Sequence, residues 1–229
     1  MRPYLRHVPA QRPTRRRELA HRRNGARVIV GLDEVGRGPL AGPRETAAVA
    51  MPLDRRPAWL AELRDSKQLS PQRRERLAPR ILEGAWQCSL GWVHASELDQ
   101  LGMTAALRLA SRRATDGLSV SPDIVLADGR DDLRLACATE MIVKGDASVA
   151  SIAAASIVAK VARDQWMVEL DERFPGYGFA RHKGYASPQH LATLQSLGPC
   201  PEHRRSFAPV ANLIQPRLPL DGALDAAGS

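Results

Sequence analysis

The sequence predicts an α/β protein in which helices flank a mixed central β-sheet. Two patterns lead to this class. Segments with the two-residue alternation of β-strands occur mainly before residue 148, whereas an alanine-rich helical segment and a short C-terminal helical segment follow them. At 229 residues the chain is long enough to bury one substantial core, so we expect a single folded domain.

Five segments have the length and composition of β-strands. Residues 27–33 alternate and contain β-branched side chains, and residues 46–51 are expected to pair with them as a hairpin. A short apolar strand is predicted to end just before Asp128 and a glycine. The five predicted strands are residues 27–33, 46–51, 86–93, 123–127 and 139–143.

Helix signals are clearest where a capping residue precedes a proline. Ser70 is followed by Pro71 at the first helical position, which predicts a helix that runs to about Leu82. The other predicted helices are residues 102–115, 148–174 and 188–197. Residues 175–186 are predicted to form a loop.

The basic charge is concentrated at the N-terminus. Residues 1–30 contain nine arginines and one glutamate, which equals the whole formal net charge of +8, and the other 24 basic and 24 acidic residues cancel. The folded body therefore gives no bulk signal of nucleic-acid binding. We expect residues 1–26 to form a disordered basic arm, residues 27–215 to fold and residues 216–229 to be a flexible tail. The arm either adds nonspecific DNA affinity or is a solvated extension without a specific role.

Composition excludes several protein classes. The N-terminal segment lacks the apolar core of a secretory signal, and no run reaches the roughly 18 apolar residues that span a bilayer. Cys88, Cys137 and Cys200 are odd in number and far apart, which is typical neither of a disulfide framework nor of a zinc site. We therefore expect a soluble cytoplasmic protein.

A glycine-rich motif near the N-terminus carries a chemical signal. Asp33 and Glu34 are hard oxygen ligands of the kind that Mg²⁺ or Mn²⁺ binds, while Gly36 and Gly38 allow the backbone to approach a ligand. Arg37 lies between the glycines and is suited to a phosphate group. A strand that ends in water before a Gly-Pro turn has the same composition, so this motif alone leaves both interpretations open.

Two nucleotide-binding loops share part of this pattern. Gly31 and Gly36 have the spacing of a P-loop, but the Lys-Ser/Thr pair is missing and the adjacent carboxylates would repel phosphates. Residues 36–41 match the dinucleotide-binding pattern G-x-G-x-x-A, but Pro39 and Pro43 bracket the point where a helix should begin. Both loops are therefore disfavoured.

Further polar residues occur at positions suited to a site. Asp128 ends a predicted buried strand, where its carboxylate can emerge at the edge of the sheet. Ser156, Lys160 and Asp164 are spaced by four residues, so they share one face of the predicted long helix. An ordinary Asp-Gly turn and a solvated polar stripe are the alternative interpretations of these two patterns.

The carboxylates have the number needed for a two-metal site. Adjacent strand residues point to opposite faces, so Asp33 and Glu34 can reach one site only if the strand breaks between them, which the glycine turn favours. Together with Asp128 and Asp164 they would then hold two divalent ions. Such a pair activates a water molecule and stabilises the leaving oxygen in phosphoryl displacement.

Eight short motifs follow one another along residues 28–212. They are Gly31-Leu-Asp-Glu-Val-Gly-Arg-Gly-Pro-Leu40, Asp65-Ser-Lys67, Asp128-Gly129, Lys144-Gly-Asp146, Ala153-Ala-Ala-Ser156 through Ala159-Lys-Val-Ala-Arg-Asp164, Phe174-Pro-Gly-Tyr-Gly-Phe179, His182-Lys-Gly-Tyr185 and His203-Arg-Arg-Ser-Phe207. This set resembles the type 2 ribonuclease H family, and bacterial ribonuclease HII in particular. The resemblance implies a ribonuclease H-like catalytic domain over residues 27–215.

The resemblance also implies an activity. It predicts hydrolysis of the RNA strand of RNA–DNA hybrids and cleavage on the 5′ side of ribonucleotides embedded in duplex DNA, with 3′-hydroxyl and 5′-phosphate products. Such an activity removes ribonucleotides during DNA replication and repair. The implied cofactors are two Mg²⁺ or Mn²⁺ ions, the implied partners are these duplexes and no membrane, and a monomer is expected.

The resemblance assigns roles to individual residues. Catalysis and metal binding map onto Asp33, Glu34, Asp128 and Asp164. Recognition of the ribose 2′-hydroxyl and of the RNA–DNA junction maps onto Gly36, Arg37 and Gly38, and Tyr185 would stack beneath the deoxyribose that follows. Contacts to backbone phosphates map onto Ser66, Lys67, Ser156 and Lys160.

Two charged residues depart from the family pattern. After Gly42-Pro43 the family usually continues with apolar strand residues, whereas this chain has Arg44 and Glu45. Two charges in a strand beside the metal site are expected to destabilise it or to perturb its field. They keep a second hypothesis open, a catalytically silent protein that binds hybrids. The related ribonuclease HIII enzymes carry an added N-terminal domain, for which 26 arginine-rich residues are too short and too polar.

Overall fold

A mixed five-stranded sheet forms the centre of the protein, as the sequence predicted. The structure is a computed structural model that describes residues 12–214. The strands are β1 Ile29–Val35, β2 Arg44–Ala50, β3 Gln87–Val93, β4 Ile124–Asp128 and β5 Ala138–Ile142. They lie in the order β3-β2-β1-β4-β5, in which β1, β2 and β3 are antiparallel and β4 and β5 run parallel to β1.

Helices cover both faces of this sheet. They are α1 Arg16–Arg23, α2 Pro71–Gly84, α3 Ala95–Asp116, α4 Gly145–Ser148, α5 Ala150–Arg173, α6 Phe179–His182, α7 Pro188–Leu197 and α8 Ala208–Ile214. On one face, Ala47 and Val49 pack in a core with α2 and α5. On the other face, Ala48 and Ala50 pack with residues of α3. The alternation along β2 thus divides the core into two layers.

Helix α5 lies very close to strand β1. A Cβ atom at Gly31 would overlap the backbone of Ser151, so only glycine allows this approach. Three consecutive alanines, Ala153 to Ala155, are fully buried in the same interface. The small side chains bring the polar face of α5 next to the end of β1, which positions the candidate site.

Local capping explains where the helices begin. Ser70 accepts a hydrogen bond from the amide of Arg73 at 3.4 Å, and α2 follows from Pro71 as predicted. Helix α7 has the predicted bounds. Helix α3 begins seven residues earlier than predicted, at Ala95 instead of residue 102. Its first turn is stabilised by Glu97, and the positive φ of +76° at Gly102 bends the helix where the prediction placed its start.

The expected disordered arm is wrong for residues 12–26. Helix α1 lies in this segment, and the amide of Thr14 donates to Ser148 O at 3.0 Å. Glu18 is fully buried and accepts a hydrogen bond from the amide of Ser151 at 2.8 Å. A carboxylate at the N-terminus of α5 is favourable, because the first amides of a helix have no partner within it. Residues 1–11 and the predicted tail, residues 216–229, lie outside the described residues.

Two smaller differences concern a predicted loop and the start of a strand. The predicted loop at 175–186 contains the short helix α6. Strand β2 begins at Arg44, two residues before the predicted start, so both unusual charges lie within the strand. Among the helices of residues 12–214, none has the length and apolar composition required to cross a membrane.

Candidate active site

Three of the four predicted carboxylates lie at one edge of the sheet. Strand β1 pairs with β4 in parallel, with Leu32 opposite Ala127. Asp33 and Asp128 are the next residues of their strands, so the register places them side by side. Glu34 follows on β1.

The expected break in the strand between Asp33 and Glu34 is wrong. Strand β1 continues to Val35, and its pairing with β2 places Asp33 opposite Ala47 and Glu34 opposite Thr46. The two carboxylates therefore start from opposite faces of the sheet. The amide of Glu34 donates to Asp33 Oδ1 at 2.8 Å, which holds the Asp33 side chain at the strand end.

Burial and neighbouring charges raise the pKa of Asp33 and of Glu34. Burial raises the pKa of Asp33 well above its ordinary value, and the charges of Glu34 and Asp128 raise it further. Burial also raises the pKa of Glu34, whereas the Arg44 guanidinium lowers it. A buried cluster of like charges is unfavourable without a cation. The oxygen ligands and their repulsion both suit Mg²⁺ or Mn²⁺, so the residues present fit the implied metal.

Asp164 lies on α5 and is held by basic side chains. Its Oδ1 accepts a hydrogen bond from Lys160 Nζ at 2.7 Å, and its Oδ2 is 3.9 Å from Arg74 Nη2. In residues 12–214, no three His, Cys, Asp or Glu side chains are grouped closely enough to hold an ion. The strand register thus places Asp33 beside Asp128, with Glu34 next on β1, whereas Asp164 is paired with Lys160 and Arg74.

Two buried serines that contact each other lie next to Asp33. Ser66 Oγ and Ser156 Oγ are 2.9 Å apart and both residues are buried. A hydrogen bond from Ser156 lowers the pKa of Asp33 against the effect of burial. The Lys67 side chain is 82% exposed and its Nζ lies 3.5 Å from Asp146 Oδ2. Ser66, Lys67 and Ser156 therefore lie near Asp33, whereas Lys160 is paired with Asp164.

The predicted recognition residues are also adjacent. Gly36 has a φ of +90°, and a Cβ there would lie 2.6 Å from Pro43 O, so the turn requires glycine. A Cβ at Gly38 would lie 3.7 Å from Tyr185 Cε1. Tyr185 is 45% exposed, and its ring lies next to the glycine turn.

The two unusual charges on β2 have different environments. Arg44 is buried, and its Nη2 donates to Glu34 Oε1 at 3.3 Å. Glu45 is fully buried on the opposite face, and neither carboxyl oxygen has a hydrogen-bond partner among the described residues. Burial raises the pKa of Glu45 to about 9, so the side chain is neutral at pH 7. Arg44 thus acts on a predicted ligand, whereas Glu45 is buried without compensation.

The sequence did not predict a role for several residues beside the site. Arg74 hydrogen-bonds Ser66 O at 2.9 Å, and Asp146 lies close enough to Asp128 for the two charges to interact. Arg163 and Arg204 are buried beneath the glycine turn. Three of these four, Asp146, Arg163 and Arg204, lie inside the motifs that resemble the ribonuclease H family. Their place in those motifs could have identified them as residues of the site.

Comparisons with known proteins agree with the motifs. The family model "Ribonuclease HII" matches residues 30–210. The chain is 48% identical over 194 residues to the ribonuclease HII of Albidiferax ferrireducens, and the match covers 85% of this chain and 92% of that protein.

Solved structures confirm the fold. The ribonuclease H2 of Pyrococcus horikoshii OT3 superposes with a TM-score of 0.71 at 24% identity, covering 82% of this chain and 97% of that one. Bst-RNase HIII in complex with Mn²⁺ superposes with a TM-score of 0.67 at 21% identity, covering 86% of this chain and 72% of that one. These likenesses show the ribonuclease H-like fold. The match to the family model and the identity to the curated relative show more: this chain belongs to the ribonuclease HII family of metal-dependent nucleases.

Proposed function

We propose that this chain hydrolyses the RNA strand of RNA–DNA hybrids and cuts duplex DNA on the 5′ side of an embedded ribonucleotide. The products would carry a 3′-hydroxyl and a 5′-phosphate, and the activity would serve ribonucleotide removal in replication and repair in the cytoplasm. The observation that carries the proposal is the adjacency of Asp33 and Asp128 at paired strand ends, next to the glycine turn and Tyr185.

The metal ligands are proposed to be the four carboxylates. Asp33, Glu34 and Asp128 suit a divalent cation because each is an oxygen donor in a cluster of like charge. Asp164 would join them after release from Lys160. Two ions held there would activate a water molecule and stabilise the leaving oxygen of the phosphodiester. The Mn²⁺ bound to Bst-RNase HIII is consistent with this choice of metal.

The chain's own groups would orient the ligands. Ser156 lies beside Asp33 and lowers its pKa, and Arg44 holds one oxygen of Glu34 at 3.3 Å. Lys160 would exchange Asp164 for a phosphate oxygen when a duplex binds, since its side chain is partly exposed. This exchange would bring the cationic head to the nucleic acid and free the carboxylate.

Recognition is proposed for the glycine turn and Tyr185. Backbone groups of Gly36, Arg37 and Gly38 would contact the ribose 2′-hydroxyl, which is what distinguishes RNA from DNA at a single nucleotide. Tyr185 would stack on the deoxyribose that follows. Ser66 and Lys67 would contact backbone phosphates. A monomer suffices for this arrangement, because every proposed residue comes from one chain.

One observation favours a second candidate, a silent protein that binds hybrids. The Arg44 guanidinium occupies an oxygen of Glu34 and places a positive charge beside the proposed metal site. A cation at this position opposes binding of a divalent ion. A protein that binds hybrids without cutting them at any Mg²⁺ or Mn²⁺ concentration would fit this alternative.

Metal-dependent cleavage with matched variants tests the proposal. Purified protein is incubated with an RNA–DNA hybrid, with and without Mn²⁺, beside Asp33→Asn. The control is Asp116→Asn, because Asp116 is an exposed residue at the end of α3. We expect cleavage by the wild type and the control only, and only with metal. Cleavage by folded Asp33→Asn would refute the role of Asp33.

A further inference from the structure

Two buried arginines lie beneath the glycine loop, which we define as residues 36–43. Arg163 donates from Nε to Pro43 O at 3.1 Å and from Nη2 to Ala41 O at 3.2 Å. Arg204 donates from Nε to Gly42 O at 3.0 Å, from Nη2 to Pro43 O at 3.1 Å and from Nη1 to Arg37 O at 3.3 Å. Four carbonyls of the loop are thus held by two guanidinium groups.

These arginines have no acidic partner at contact distance. Both are fully buried, and no carboxylate oxygen of residues 12–214 lies within 4.0 Å of Arg163 or Arg204. Burial lowers the pKa of Arg204 to about 9. Burying a charge is costly unless hydrogen bonds compensate it. Here backbone carbonyls supply that compensation, and most of them belong to the glycine loop.

The arginines determine which backbone groups of the loop face outward. Their hydrogen bonds turn the carbonyls of Arg37, Ala41, Gly42 and Pro43 toward the interior. The amides of Leu40 and Gly42 are used by Gly184 O and Glu202 O. The hydrogen bonds found among the described residues use neither the amide of Arg37 nor that of Gly38, and both residues are exposed. The exposed turn therefore offers two amide donors, those of Arg37 and Gly38, that no hydrogen bond among the described residues uses.

Arg163 also joins the loop to the segment that carries Tyr185. Its Nη1 donates to Lys183 O at 3.1 Å, and the amide of Leu40 donates to Gly184 O at 2.7 Å. One guanidinium thus contacts both backbone segments that meet where Gly38 approaches the Tyr185 ring. A planar group with several fixed donors can hold such a geometry, whereas a lysine ammonium cannot satisfy the same carbonyls together.

We propose that Arg163 and Arg204 are positioning residues for ribonucleotide recognition, which hold the amides of the glycine loop toward the 2′-hydroxyl and set their distance from Tyr185. The inference rests on the proposed function, because it takes the loop and Tyr185 as the recognition surface. Neither arginine touches the nucleic acid. Each acts through the backbone that it holds.

Arg163→Lys and Arg204→Lys test this role. Each variant keeps the positive charge and removes the planar guanidinium group with its several donors. The matched control is Arg205→Lys, next to Arg204 and exposed. The first readout is amide hydrogen–deuterium exchange, which does not depend on any activity. We expect faster exchange in residues 36–43 and 183–185 of both variants, with strands β4 and β5 unchanged.

The second readout is the preference for a ribonucleotide. Affinities for a duplex with one ribonucleotide and for the all-DNA duplex are measured by fluorescence anisotropy with Mg²⁺, in an Asp33→Asn background that prevents cutting. The wild-type background and Arg205→Lys should prefer the ribonucleotide duplex. In the two lysine variants that preference should fall on the order of tenfold, as expected for a lost hydrogen bond, with affinity for all-DNA retained.

The outcomes separate this inference from the proposed function. A wild-type preference that survives both lysine variants would overturn the positioning role and leave the proposed function intact. Unchanged exchange in the loop would overturn it as well. A protein that prefers no ribonucleotide contradicts the proposed function and the recognition role together. Loss of the whole fold in both variants would also overturn the inference, since the arginines would then stabilise the domain rather than the loop.

Discussion

Replacing Glu45 should stabilise the protein by an amount that depends on pH. Glu45 is fully buried in β2, and neither of its carboxyl oxygens has a hydrogen-bond partner among the described residues. Burial raises its pKa from 4.5 to about 9. The folded protein therefore keeps the proton that the unfolded chain releases above pH 4.5. Glu45→Val removes this proton uptake together with the buried carboxyl group, which has no hydrogen-bond partner in residues 12–214.

The magnitude follows from the two pKa values. The Glu45 contribution to the free energy of unfolding is most favourable below pH 4.5 and falls by about 1.4 kcal/mol for each pH unit up to pH 9. At pH 7 the Glu45 contribution to the free energy of unfolding is about 3 kcal/mol less favourable than it is below pH 4.5. The advantage of Glu45→Val over the wild type should therefore grow by about 3 kcal/mol between pH 4.5 and pH 7.

Urea denaturation at several pH values measures this difference. The wild type, Glu45→Val and Glu45→Gln are unfolded at pH 5, 6, 7 and 8. At each pH the unfolding free energy of the wild type is subtracted from that of each variant. Other buried carboxylates contribute equally to both proteins, so the subtraction isolates Glu45. The exposed Glu83→Gln is the control and should show no slope. A difference between wild type and Glu45→Val that does not change with pH would refute the reasoning.

Three further predictions concern single contacts. Arg44→Val should tighten Mn²⁺ binding in calorimetry on the order of tenfold, because it removes a positive charge held 3.3 Å from Glu34 Oε1; unchanged affinity would argue against competition. Gly31→Ala should destabilise the protein in thermal unfolding by about 3 kcal/mol, since the added methyl overlaps the backbone of Ser151, and an unshifted melting temperature would contradict that packing. Glu18→Ala should cost about 1 kcal/mol in urea denaturation through loss of its bond to the Ser151 amide; equal stability would mean that α1 is not anchored there.

Capping and periodicity were enough to predict the five strands and the starts of helices α2 and α7. Ser70-Pro71 and Ser187-Pro188 each place a capping hydroxyl before a proline, and both helices begin where expected. Helix α1 escaped prediction because half of its residues are arginine and its contacts are with residues far away in the chain. One carboxyl oxygen of Glu18 accepts the amide of Ser151 at the N-terminus of α5, a contact across more than a hundred residues that no local pattern contains.

The candidate site was predictable in composition and less so in geometry. The residue types and their order indicated the carboxylates, but the adjacency of Asp33 and Asp128 depends on the register of β1 and β4. The continuation of β1 through Glu34 could not be derived from the glycine turn, because pairing with β2 outweighs the local tendency to break. Arg163 and Arg204 had roles that depend on carbonyls far away in the chain, so their motifs gave no hint of what they hold.

The position of the cut in a duplex with one embedded ribonucleotide tests the central claim most directly. The ribonucleotide strand is labelled at its 5′ end, incubated with the protein and Mg²⁺ or Mn²⁺, and resolved at single-nucleotide resolution beside an all-DNA duplex. We predict a single metal-dependent cut immediately 5′ to the ribonucleotide, with a 3′-hydroxyl on the labelled fragment and no cleavage of the all-DNA duplex. A cut on the 3′ side, or cleavage of the all-DNA duplex, would contradict the account.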